Sequence, residues 1–245
     1  MSVLHPHFYQ STPDSAVTTA ARTKYAKPIC YSPFLKYVFI HIPKCAGSSI
    51  HRALGVLHAQ RSLSVGKPKY HKHAKATKVR EILGPAWNEC FKFAFIRNPW
   101  DLMVSSYHWW LTYAEIFPAL HKDIARIREM GTFSVFIRSE FGRSMLNEHR
   151  GGDLAEWIFD GDEIIVDFVA RYETLNEDWS KVCRALKVPA LPLGRENQVV
   201  RQDYRVFYDN ESRELVANRF ARTIELFDYR FDGGEWIPKK GSGFE

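Results

Sequence analysis

Two short apolar runs, YVFIHI at 37–42 and FKFAFI at 91–96, are each followed at once by a loop carrying a proline and then by a segment of helical period. A run this rich in β-branched and aromatic residues has no polar face to leave in water, so it must be covered on both sides. Pro33 and Pro43 bracket the first run and hold it to strand length. Past Ile42, the loop Pro43-Lys44-Cys45-Ala46-Gly47-Ser48-Ser49 leads into SSIHRALGVLH, where Ile50, Ala53, Leu54 and Leu57 recur at helical spacing. Past Ile96, Asn98 is placed to cap a helix whose first position is Pro99, where a missing N–H costs nothing, and the helix reads on through WDLMVSSYHWWLTYAE. A strand–loop–helix unit that occurs twice predicts parallel strands joined by helical crossovers.

The rest of the chain extends this alternation. A helix is predicted over Lys75–Leu83, stopped by Gly84-Pro85, and a helical region over Thr132–Phe141, followed by a break at Gly151-Gly152. The apolar run from Ile164 through Tyr172 reads as a third strand. Thr174-Leu-Asn-Glu177 has the form of a capping box opening a helix to about Leu186, and Asn210 with Glu211 opens a last helix to about Phe227. These elements predict an α/β fold of three layers, with a central, mostly parallel sheet flanked by helices. Residues 1–30, rich in Ser, Thr and Pro with little periodicity, read as a flexible or surface-draped arm, and 31–245 as one domain.

Composition narrows the function classes. With 45% hydrophobic and 25% charged residues the chain is neither disordered nor a coiled coil, and 34 Lys+Arg against 28 Asp+Glu, a net +6, favours anionic partners. Apart from a His/Lys/Arg-rich stretch at 61–80, the positive charge is spread along the chain, which points to a folded surface or cleft. The four cysteines, Cys30, Cys45, Cys90 and Cys183, form no Cys-x-x-Cys pair, so free thiols in a reducing compartment are expected. Without a leader-like start or an apolar window long enough to span a bilayer, the chain is expected to be cytoplasmic, with no membrane span.

The loop at 43–49 lies where a strand ends and a helix begins, the edge at which open α/β sheets bind ligands. Helix-start N–H groups, the positive end of the dipole, a flexible Gly47, the Lys44 ammonium and the Ser48 and Ser49 hydroxyls together make a cradle for phosphate or sulfate. It resembles a P-loop in place but is not a Walker A sequence, because Lys44 precedes Gly47 instead of standing before the hydroxyl residue. A surface turn with a chance lysine is the plainer account of this loop alone. Arg97 ends the second run, and Ser105 stands eight residues on, about two helical turns away. A guanidinium forks onto a phosphate, and the serine completes its shell from the helix.

IHIPKCAGSSI resembles the 5′-phosphosulfate-binding loop of sulfotransferases that use 3′-phosphoadenosine 5′-phosphosulfate (PAPS), and FAFIRNPWDLMVSSY resembles their 3′-phosphate-binding segment. The Pro-Lys-x-x-Gly-Ser-Ser form is most similar to the carbohydrate sulfotransferase branch that includes heparan sulfate 2-O-sulfotransferase and bacterial relatives. The resemblance covers roughly 37–231, since DFVARYETLNEDWSKVCRALKVP and ARTIELFDYRF also look like this branch. It implies a P-loop-like fold, PAPS as donor with adenosine 3′,5′-bisphosphate as product, and a hydroxyl acceptor, foremost a carbohydrate. By position, it implies that Lys44 contacts the sulfate and the bridging oxygen, that Cys45, Ala46, Gly47, Ser48 and Ser49 cradle the 5′-phosphosulfate, and that Arg97 and Ser105 hold the 3′-phosphate. The chain departs from the pattern at Leu102, where the family often has Arg. The resemblance also places the general base within Tyr70-His71-Lys72-His73, with His73 favoured and His71 as alternate or orienting partner.

An imidazole is suited to take a hydroxyl proton near neutral pH, while a His pair in a basic, solvated stretch is also compatible with no role at all. Glu115, Glu140 and Glu148 are carboxylate alternatives by location. No metal and no nucleic acid is expected. Tyr107, Trp109, Trp110 and Tyr113 are suited to sugar stacking, though helical spacing favours core packing for most of them. Tyr204, Arg205 and Tyr208 are suited to donor or acceptor contact, though a lid or a salt bridge explains them equally well, and Lys239 to Gly243 reads as a tail. A nucleotide-dependent phosphotransferase and a noncatalytic anion- or RNA-binding module are the competing functions. The acceptor and the oligomeric state are open.

Overall fold

Both apolar runs are strands, and they lie side by side. The computed structural model describes residues 30–63, 70–112, 116–144, 152–194 and 201–233. A short strand β1 (Tyr31–Ser32) runs antiparallel to β2 (Tyr37–Ile40), which passes through the His41–Ala46 loop into helix α1 (Gly47–Gln60). Helix α2 (Ala76–Leu83) and a 3₁₀ turn at Gly84–Trp87 lead the chain to β3 (Phe91–Ile96), which feeds α3 (Pro99–Thr112). The helices α4 (His121–Met130), α5 (Phe133–Arg138) and α6 (Glu140–Ser144) follow, then a hairpin of β4 (Phe159–Asp160) and β5 (Glu163–Ile164). The chain continues through β6 (Phe168–Arg171), α7 (Leu175–Ala185), α8 (Asn210–Arg219) and α9 (Ala221–Phe227).

The main sheet has the order β1-β2-β3-β6, and all of it except edge strand β1 is parallel. Every residue of β2 and the last four of β3 are buried, as a parallel strand between helical layers requires. Phe39 sits opposite Phe93 in the register, and their rings stack with centroids 5.1 Å apart. Helix α1 turns Ile50, Ala53, Leu54 and Leu57 into this core. The expected α/β architecture, a mostly parallel sheet flanked by helices, is therefore observed, and the carboxyl ends of β2, β3 and β6 point to one edge. Among the described residues no helix is long and apolar enough to cross a membrane.

Several local expectations change. The run expected as one strand from Ile164 to Tyr172 is split, with β5 belonging to the small hairpin and only Phe168–Arg171 joining the main sheet. Helix α7 begins where expected, but Thr174 makes no cap: its hydroxyl donates to Asp178, whose carboxylate also accepts the Arg171 N–H. The hydroxyl is taken up as a donor to this carboxylate one turn inside the helix and does not accept from the first helical N–H groups. The last helix is capped by Asp209, not Asn210, in a reciprocal box with Ser212, and it breaks into α8 and α9 around buried Phe220. The helical region at 132–141 is likewise two helices, the first capped by the Thr132 hydroxyl. Asn98 does cap α3, its side-chain oxygen accepting the Trp100 N–H at 3.1 Å. The arm expected at 1–30 lies outside the described residues except for Cys30, which is buried. All four cysteines are free and buried.

Candidate active site

The loop between β2 and α1 owes its shape to two residues that are not glycine. Lys44 (φ 66°) and Ala46 (φ 61°) both adopt the left-handed conformation, at roughly 1–2 kcal/mol each. Alternation of left-handed and ordinary backbone turns successive N–H groups toward one side, the geometry of an anion nest. Helix α1 adds to this, because its cap residue Ala46 supplies no side-chain acceptor and its first turn has no acid to offset the dipole. Gly47 does not serve as the flexible hinge that its sequence suggests, for its φ is not among the positive ones. It is glycine for lack of room: a Cβ there would lie 1.8 Å from Nε2 of His41. Cys45 turns its side chain into the core, where burial pushes the thiol well up, so only its backbone is left for the nest.

Arg97, at the end of β3, reaches back to this loop. Its guanidinium donates to the carbonyl of Lys44 at 3.1 Å, to Oγ of Ser105 at 3.1 Å and to Asp101 at 2.7 and 2.6 Å, and it stacks 3.8 Å from the Tyr172 ring centre. Asp101 bridges this arginine to Arg201, a hundred residues downstream, with all three side chains largely buried. Arg201 thus supplies a second guanidinium beside Arg97. Leu102, the position of the family's frequent arginine, is fully buried core. Burial, followed by the charge of Arg97, lowers Lys44 to about 7, and its Nζ lies 5.3 Å from the centre of the Trp109 ring. Glu173 accepts the N–H of Asn98 and the hydroxyl of Tyr229 with its two oxygens, and burial of that carboxyl raises its pKa.

The histidines form a chain of rings. Nδ1 of His73 lies 3.0 Å from the carbonyl of His41, an acceptor only, so that nitrogen carries the proton and the neutral ring holds its lone pair on Nε2. His71 is reversed: its Nδ1 accepts the backbone N–H of His73 at 3.3 Å. Nδ1 of His41 meets Nε2 of His51 at 3.0 Å. Burial, reinforced by the neighbouring His73, His51, Lys72 and His71, holds His41 well below the usual histidine range and so in its neutral form.

A cavity of about 1100 Å³ opens over this edge of the sheet, lined by Lys44, Ala46, Gly47, Ser48, Ser49, His71, His73, Arg97 and Ser105. The two motifs and the histidine pair are therefore walls of one space. Trp109 and Trp110 also line it, whereas Tyr107 packs against Phe133 and Phe136 in the core. Tyr204 lines it too, while Arg205 pairs with Asp203 and Tyr208 ties its hydroxyl to the carbonyl of Trp100. Glu140 is exposed on α6 and lines no part of the cavity, and Glu115, Glu148, Tyr113 and residues 239–243 fall outside the described residues. Among the described residues no cluster of His, Cys, Asp or Glu is arranged to hold a metal ion. Sequence reasoning missed Asp101, Arg201, Tyr172, Glu173, His41 and His51. Of these, only Asp101, four residues after Arg97 on a helix, left a signal in the spacing.

The cavity joins a nest at the start of α1 to an arginine–serine pair at the start of α3, following adjacent parallel strands, a geometry suited to a doubly anionic ligand. No curated protein and no solved structure matches the chain. The family model described as the sulfotransferase family matches residues 27–230, a span that contains every element from β1 to α9 and all of the described cavity lining except Gly233, and the chain belongs to that family.

Proposed function

We propose that the cavity binds PAPS and that the protein transfers its sulfuryl group to a hydroxyl, foremost on a carbohydrate. The carrying observation is that the 43–49 nest and the Arg97–Ser105 pair line one cavity, with Arg97 donating to the Lys44 carbonyl between them. The donor supplies a sulfuryl group already activated by its bond to phosphate. In this reading Lys44 and the backbone of Cys45, Ala46 and Gly47, with the Ser48 and Ser49 hydroxyls, hold the phosphosulfate, while Arg97 and Ser105 hold the 3′-phosphate. The left-handed backbone at Lys44 and Ala46 fits this role, since it turns main-chain N–H groups toward one side, where an anion can be held.

His73 takes the acceptor's proton on Nε2, and Lys44 meets the negative charge that builds on the departing phosphate oxygen. The Nδ1–H bond to the His41 carbonyl favours His73 over His71 as base, because it places the lone pair on Nε2 and steadies the ring. Trp109 and Trp110 in the wall support a carbohydrate acceptor, whose ring faces stack on indole. We assign 31–245 to one sulfotransferase domain, preceded by an arm, and the four free, buried thiols favour a reducing, cytoplasmic setting.

The test is a calorimetric titration of adenosine 3′,5′-bisphosphate without metal, with AMP and ATP as competitors. Metal-independent binding that needs the 3′-phosphate is expected. Absence of binding, or a preference for ATP with Mg²⁺, would overturn the donor assignment and move the chain toward phosphoryl transfer.

A further inference from the structure

His41 touches both halves of the cavity. Its ring lies beneath the first residue of α1, close enough that a Cβ on Gly47 would fall within 1.8–2.4 Å of three ring atoms. Its Nδ1 is joined to His51 in the second turn of α1, and its far side stacks on Phe39 at 5.5 Å with planes 13° apart. On the other side, its carbonyl receives the Nδ1–H of His73, and the two rings lie 4.3 Å apart between centroids. One buried residue thus contacts the nest glycine, the helix behind the nest, and the loop that carries the candidate base.

We propose that His41, held by His51, is a positioning residue that joins the anion nest to His73, fixing the tautomer and placement of that ring relative to the nest. This rests on the assignment of the 43–49 loop to the donor and of His73 to the acceptor proton. The physical ground is that an imidazole offers two directed nitrogens in a rigid plane, so one bond to His51 fixes the ring's rotation as well as its position. A ring fixed in this way fills the space beside Gly47, so movement of the nest on binding an anion is transmitted to the main chain of residue 41 and on to His73. The groups facing His41 are His51 from α1 and His71, Lys72 and His73 from the segment before α2, with the thiol of Cys30 behind His51 at 3.9 Å. Apart from that buried thiol these neighbours are basic, so a neutral His41 is what the cluster tolerates and the His41–His51 bond persists across neutral pH.

The test needs no acceptor. Histidine ring nitrogens are followed by NMR in the whole protein, alone and with adenosine 3′,5′-bisphosphate, for wild type, His41→Phe, His51→Leu and His51→Gln. Phenylalanine keeps the ring volume beside Gly47 and the stack on Phe39 while removing the nitrogens. In wild type, His73 should carry its proton on Nδ1, and its signals should move when the bisphosphate binds. In His41→Phe and in His51→Leu, the bisphosphate should bind within about threefold of wild type, while His73 becomes a mixture of tautomers that no longer responds. His51→Gln, whose amide reaches about as far as Nε2, should restore the wild-type pattern. A His73 with unchanged tautomer and unchanged response in both His41→Phe and His51→Leu would reduce His41 to a space-filling residue and overturn the proposal. If His41→Phe fails to fold, His51→Leu against His51→Gln decides the question from the helix side. If wild type binds no bisphosphate, the donor assignment fails by itself, and the tautomer comparison in the ligand-free proteins still decides the role of His41.

Discussion

The two segments proposed to hold the donor's anionic groups follow adjacent strands and are built in opposite ways. The 43–49 loop is held by backbone: two left-handed residues that are not glycine, and one glycine pressed against a buried ring. The Arg97 segment is held by side chains: a guanidinium shared among Asp101, Ser105, the Lys44 carbonyl and the face of Tyr172. A backbone nest presents donors that cannot rotate away, at the expense of local strain. A side-chain clamp carries a permanent charge but depends on each partner staying in place. The protein therefore has one site that is sensitive to shape and one that is sensitive to charge balance, and substitutions should separate them.

The largest effect is expected at the clamp. Arg97→Ala leaves Asp101 facing Arg201 with half of its compensation gone in a largely buried setting, and should cost about 3–5 kcal/mol in denaturant unfolding as well as bisphosphate affinity. A loss of affinity without a loss of stability would mean that Asp101 and Arg201 balance each other alone. Gly47→Ala attacks the nest. The added methyl meets a ring fixed by His51 and Phe39, and overpacking of this kind costs about 1–3 kcal/mol, read as a lower thermal midpoint together with weakened bisphosphate binding. Normal binding by that variant would show that His41 moves aside easily.

A third experiment separates the segments by protons. Lys44 is lowered to about 7 from 10.5, so between those values the folded chain binds fewer protons than the unfolded one. Its contribution to stability therefore rises with pH across that window and is lost as pH falls through about 7. An anion bound at the nest favours the ammonium, so binding of the bisphosphate at about pH 8 should take up a fraction of a proton, measurable by calorimetry in buffers of different ionisation enthalpy. Lys44→Ala should abolish the uptake; persistence of the uptake in that variant would place the proton elsewhere. Arg97 contributes none, since a guanidinium stays charged throughout this range. The smallest effect is expected at Ala46→Gly, which relieves the left-handed strain at φ 61° and should raise stability by about 0.5–1 kcal/mol after the extra freedom of glycine in the unfolded chain is subtracted.

Much of this arrangement is legible in the order of residues. The strands YVFI and FKFAFI, the helices after them, the Asn98 cap and the pairing of Arg97 with Ser105 are properties of segments under twenty residues, where hydrophobic period and capping chemistry act locally. Local signals failed where a capping hydroxyl is taken up as a donor to a nearby carboxylate, as Thr174 is by Asp178, or where an apolar run is shared between two sheets, as at Ile164 and Phe168. They also misassigned the reason for Gly47, since the sequence shows that a side chain is missing but not what fills its place.

The sequence by itself determined that two strand–loop–helix units exist and which short segments carry their charge, because hydrophobic period, turn residues and caps are written over a few consecutive residues. Only the tertiary structure decided that Arg201 meets Asp101 across a hundred residues, that Glu173 anchors Asn98, and that His41 lies between Gly47 and His73. Those contacts are set by how the ends of β2, β3 and β6 come together in the sheet. Burial then selects the partners, because a charge or a ring nitrogen withdrawn from water must find its match among whichever side chains the packing brings within reach.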